Sequence, residues 1–141
     1  MTMSSATMQV RVNWIAEAGV VHVDYVDARI DSQHAIDEWE GLLFPLLDEM
    51  RDAHGRVPIV VCIDNLYIAP AVADCYGKGL VARVTADYAT CIARYGTNAS
   101  VRSVIAVEAM RRKYSANIFD TREDAIAFAT RAPCTVAARA S

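Results

Sequence analysis

The sequence predicts a single α/β domain, a mixed sheet of about five strands with about four helices in the order β-β-α-β-α-β-α-β-α. Three observations predict it. Apolar residues alternate over 8–15 and 20–26, recur at helical spacing over 32–54, and then form an apolar, β-branched run over 57–64. At 141 residues the chain has the length of one domain, which buries about two-thirds of its unfolded surface. The boundaries read as a flexible N-terminus over 1–7, the domain over 8–131 and a loose tail over 132–141.

Taken in order, residues 8–15 alternate Val10 and Val12 with Arg11 and Asn13, and Val20 to Val26 alternate Val21, Val23 and Tyr25 against His22 and Asp24. Both are strands, and the short Glu17-Ala18-Gly19 link makes them an antiparallel hairpin. From Ser32 to His54 the period changes. Ile36, Trp39, Leu43, Leu46, Leu47 and Met50 fall on one helical face. Asp31 or Ser32 can cap that helix and Gly55 can end it, while Pro45 inside it removes a backbone hydrogen bond and predicts a kink. Residues 57–64, VPIVVCID, lack alternation, as a central strand covered on both faces does.

Pro70 suits the first turn of a helix over 70–81, in which Gly77 and Gly79 either end the helix early or permit close packing. The segment from Tyr88 to Tyr95 reads as a strand, Ser100 to Tyr114 as a helix, and Asn117 to Phe119 as a short strand. Thr121 and Asp124 then form a capping box ahead of Ala125, Ile126 and Phe128. The triplet Arg111-Arg112-Lys113 in a last helical turn complements the helix dipole from an exposed face.

Composition narrows the function. The chain is 54% hydrophobic and 22% charged, with a net charge of −3, so nucleic acid is not an expected partner. No run approaches the roughly 18 apolar residues of a membrane span, and the N-terminus does not read as a secretory signal. A cytoplasmic setting without membrane attachment is expected. Residues 1–70 hold 4 Lys/Arg against 11 Asp/Glu, and residues 71–141 hold 10 against 6, so the two halves attract each other.

Phosphate-binding glycine loops, nucleophile elbows and zinc-helix motifs are missing from the sequence. Cys62, Cys75, Cys91 and Cys134 are too scattered for a zinc site or a disulfide framework and read as buried structural thiols. His22, His34 and His54 have no metal-ligand spacing. Asp37, Glu38 and Glu40 read as a solvated face. No catalytic residue, metal or cofactor is therefore expected.

Asp64 and Asn65 stand at the carboxyl end of the predicted central strand, where open α/β sheets present ligands and partners. Tyr67 and Ile68 follow in what reads as a loop, and apolar side chains there suggest a contact surface. Together with Tyr76, Arg94 and Tyr95 they make the expected binding surface.

The segment VVCIDNLYIAPAVADCYGKGL, the element order and the closing NIFDTREDAIAFA resemble the STAS-like superfamily, named for sulphate transporters and anti-sigma-factor antagonists. The resemblance covers roughly residues 8–130. It implies a non-enzymatic regulatory domain that binds a protein partner, with a homodimer as one form. The antagonists carry a phosphorylatable Ser or Thr at the helix start, where this chain has Ala69, Pro70 and Ala71. An alternative is a small-molecule-binding protein or small enzyme with a pocket at this sheet edge, where Asp64, Arg94 and Tyr95 would converge.

Overall fold

The computed structural model describes residues 9–113 and 115–131. The expected flexible N-terminus, the expected loose tail, Cys134 and the end of the third helix at Tyr114 lie outside them. Strands β1 (Gln9–Ile15) and β2 (Val20–Ile30) form the antiparallel hairpin, with Val12 opposite Val23 and Trp14 opposite Val21. Helix α1 (Gln33–His54) follows. Of the two candidate caps it is Ser32 that acts, its hydroxyl accepting from the Ala35 N–H at 3.1 Å. The helix continues through Pro45, whose ring faces solvent.

Strand β3 (Val57–Cys62) pairs in parallel with β2, and β5 (Ala89–Tyr95) pairs in parallel with β3. A short parallel β6 (Ile118–Phe119) completes the order β1-β2-β3-β5-β6. The remaining strand, β4 (Leu66–Ile68), lies off this path and pairs with the far end of β2, so the mixed sheet has six strands. Residues 66–68 were expected as loop. A three-residue strand with one outward residue carries too little periodicity to be seen.

The second helical region extends beyond the expected 70–81 and runs to Asp87. It consists of a 3-10 turn (Pro70–Val72), α2 (Ala73–Tyr76), a π turn (Gly77–Val81) and α3 (Ala82–Asp87). The glycines do not end it. A Cβ on Gly77 would stand 3.0 Å from Arg112 Nε, so the missing side chain lets that guanidinium approach. Helix α4 (Ala99–Arg112) is capped by Asn98, and α5 (Arg122–Arg131) by Thr121, whose hydroxyl accepts from the Asp124 N–H at 3.1 Å.

Burial follows the sequence periods. Val21, Val23, Tyr25, Ile59 and Val61 face the α1 stripe of Ile36, Trp39, Leu43 and Leu47, with Leu80, Val84 and Ile105 closing the same side. Each such side chain contributes about 1.5–3 kcal/mol by burial. Val60, Cys91 and Ala93 point the other way, onto Ala125 and Ala129 of α5. The strand read as central is thus covered on both faces. Cys91 is buried and Cys62 partly so, but Cys75 is exposed on the outer side of its helical segment, contrary to the expectation of a buried thiol. The cationic triplet is also less solvated than expected, because Arg112 turns inward to Asp74 and to Glu108, the latter at 3.1 Å.

Candidate functional site at the carboxyl edge of the sheet

The chain leaves β3 through Ile63, whose N–H donates to the Tyr95 carbonyl at 2.9 Å, and turns at Asp64 and Asn65. Both are exposed. The Asn65 carbonyl accepts from Ala28 N–H at 3.1 Å, and Ala69 N–H donates to the Ile30 carbonyl at 2.8 Å. Between these bonds β4 lies flat along the end of β2. Successive residues of a strand point to opposite faces. Leu66 and Ile68 are therefore buried, and Tyr67 stands out at 36% exposure. The Arg29 guanidinium lies 4.5 Å from the Tyr67 ring centroid and also pairs with Asp31 at 3.3 Å.

Asp64 has a bracing role in this edge. Its carboxylate accepts from Thr97 N–H at 2.8 Å, and the Asn98 amide donates to the Asp64 carbonyl at 3.1 Å and to the Leu66 carbonyl at 3.5 Å. The same Asn98 caps α4 through its oxygen. Two loops are thereby locked together. Arg102 extends the edge, donating to the Gly96 carbonyl at 2.9 Å and to Asp120 at 2.8 Å.

The seven residues expected to share a surface separate into four groups. Asp64, Asn65 and Tyr67 meet on the edge. Ile68 lies beneath it in the core, so its apolar side chain serves packing and does not form a contact surface. Arg94 and Tyr95 are neighbours on one strand and point to opposite faces, so the convergence of Asp64, Arg94 and Tyr95 is not formed. Arg94 joins Tyr76 on the face covered by α1, and both are buried.

On the α5 side, Tyr95 shares a 2.7 Å hydrogen bond with His22 Nε2. Burial, and then the neighbouring Cys62 thiol, push the Tyr95 phenol well above its ordinary range. Burial, followed by the Arg122 charge, lowers the His22 imidazole. The pair is therefore held neutral near pH 7, as a packed histidine is. Near the α2 end of the fold, the Lys78 ammonium hydrogen-bonded to Asp74, with Arg112 and Arg111 adding attraction, keeps that carboxyl below the usual range.

Sequence reading missed Arg29, Thr97 and Asn98 as parts of the edge. Asn98 was detectable as a cap residue just before the periodic stretch of α4. Arg29 and Thr97 enter only through pairing between distant segments. Among the described residues no group of three or more His, Cys, Asp or Glu is placed to hold a metal, and no helix is long and apolar enough to cross a membrane. No family model, curated protein or solved structure matches the chain.

Proposed function

We propose that this chain is a cytoplasmic, non-enzymatic regulatory domain that docks a protein partner at the carboxyl edge of its sheet. In this reading it resembles the STAS-like proteins but works without their phosphorylation switch, because Ala69, Pro70 and Ala71 offer no hydroxyl. The observation that supports it most is the Tyr67–Arg29 pair. An aromatic ring and a guanidinium are held outward on hydrogen-bonded strands, and these are the residue types that dominate binding hot spots. Little side-chain freedom is left to lose on docking. The partner is another protein or a second copy of the chain, and neither nucleic acid nor membrane is its target.

Tyr67→Asp tests the reading. Light scattering after size exclusion, together with partner capture, should show loss of assembly or capture at least tenfold below wild type. Unchanged assembly and unchanged capture would remove this surface from consideration. The alternative of a small-ligand site draws its support from a cavity beneath this edge, lined in part by Ile63 and Leu66.

A further inference from the structure

Between the sheet and the α1 side lies a cavity of about 30 Å³, and beside it a smaller one of about 10 Å³. Tyr76, Val81, Arg94 and Ile105 line both. At roughly 10–15 Å³ for each water molecule, the larger space accepts two or three waters or one molecule of three or four heavy atoms.

Its polar end has an excess of donors. Arg94 is 7% exposed, and its guanidinium carries five N–H groups. One of its nitrogens donates to the Ala116 carbonyl at 2.8 Å. Among the described residues no carboxylate stands within 4.0 Å of it. Glu108, on the wall of the smaller cavity, is engaged by Arg111 and Arg112, each at 3.1 Å. A buried cation without a counter-charge is costly.

Around it, Tyr25 and Tyr76 bring their hydroxyls within 3.4 Å of each other. Trp39, outside the cavity lining, packs edge-on against Tyr25, with ring centroids 4.8 Å apart. The far wall is apolar, with Leu43, Leu47, Ile59 and Val84.

We propose that this cavity binds a small planar monocarboxylate of acetate size, with its carboxylate on Arg94 and the Tyr25 hydroxyl and its methyl group toward Leu43 and Val84. A guanidinium matches a carboxylate in a planar, two-point geometry, and the apolar wall disfavours a fully hydrated inorganic ion. Access is through the helical run 70–87, whose four short segments of differing pitch form one wall and open more easily than a continuous helix. The site lies inside the domain and is independent of the Tyr67 surface, so failure of either reading leaves the other intact.

The test uses the full chain, with sodium acetate titrated against sodium chloride at matched ionic strength and the melting temperature as readout. Acetate should raise Tm saturably, by about 8 °C at a hundred times its Kd, beyond any effect of chloride. Tyr25→Phe should weaken binding about tenfold through loss of one hydrogen bond to a charged group. Arg94→Met should abolish the rise and melt near or above the acetate-free wild type, because an apolar side chain of similar length replaces an uncompensated charge. No acetate-specific rise, the same rise in Arg94→Met, or an Arg94→Met protein that melts more than about 10 °C lower would each overturn the proposal, the last by showing that Arg94 is already satisfied within the protein.

Discussion

Replacing Gly96 by alanine should destabilise the protein through the contact that organises the carboxyl edge. Gly96 has φ +143°, a conformation that costs a residue with a Cβ about 1–3 kcal/mol. An added Cβ would stand 2.7 Å from Asp64 Oδ1 and 3.1 Å from Ile63 Cγ1. Ile63 is fully buried and cannot retreat, whereas Asp64 can swing into solvent. That movement surrenders the bond from Thr97 N–H, worth about 1 kcal/mol at an exposed position. The sum is about 3 kcal/mol, or roughly 10 °C in Tm for a domain of this size. Gly19 is the control, since its φ is +68° but nothing lies within 4 Å of its virtual Cβ. Gly19→Ala should cost about 1 kcal/mol from backbone strain alone. Urea unfolding of Gly96→Ala, Asp64→Ala and the double variant gives the coupling, expected at about 1 kcal/mol because the second substitution removes the clash created by the first. Equal losses at Gly19 and Gly96, or strict additivity in the cycle, would refute the reasoning.

Tyr67→Asp, besides reducing capture, should change stability by no more than about 0.5 kcal/mol in the same urea assay, since the ring is on the surface. Because burial and Arg122 lower the His22 imidazole, the unfolded chain takes up a proton that the folded chain resists. The corresponding stability is complete above the unfolded value of about 6.5 and is lost as pH falls through it toward the folded one. Wild type should therefore lose more stability than His22→Gln between about pH 7.5 and about pH 5.5, and equal losses would contradict the assignment. Glu108→Ala removes the buried carboxylate shared by Arg111 and Arg112 while Asp74 still holds Arg112, and a loss of about 2 kcal/mol is expected on chemical denaturation.

The α/β class, the hairpin, the α1 stripe and the covered central strand were legible because each extends over enough residues for its period to show. Strand β2 was read only as far as Val26 for a physical reason. Its register against β1 shifts after Tyr25, with Gln9 opposite Asp27 and Val10 opposite Tyr25, so one residue is extra. The bulge reverses which residues point inward. Tyr25 is buried before it and Ala28 and Ile30 after it, and the alternation looks broken in the sequence although the strand continues. Once that extension is unseen, β4 has nothing to pair with, and Ile68 reads as a loop residue. The candidate edge at Asp64 and Asn65 could be located because a β-branched run ends there. Arg94 and Tyr95 could not be assigned to faces without knowing where β5 begins, since a shift of one residue exchanges them.

Strand β2 touches three others: β1 along most of its length, β3 over Val21–Asp24 and β4 over Ala28–Ile30. From Val21 to Ile30 it runs about 30 Å at 3.3 Å per residue. A load applied to Tyr67 therefore passes into Arg29 and its neighbours and travels along one continuous backbone to the hairpin at the opposite end. It does not have to cross the helices. The strand acts as a tie rod, and whatever grips the carboxyl edge also pulls on the rim formed by β1.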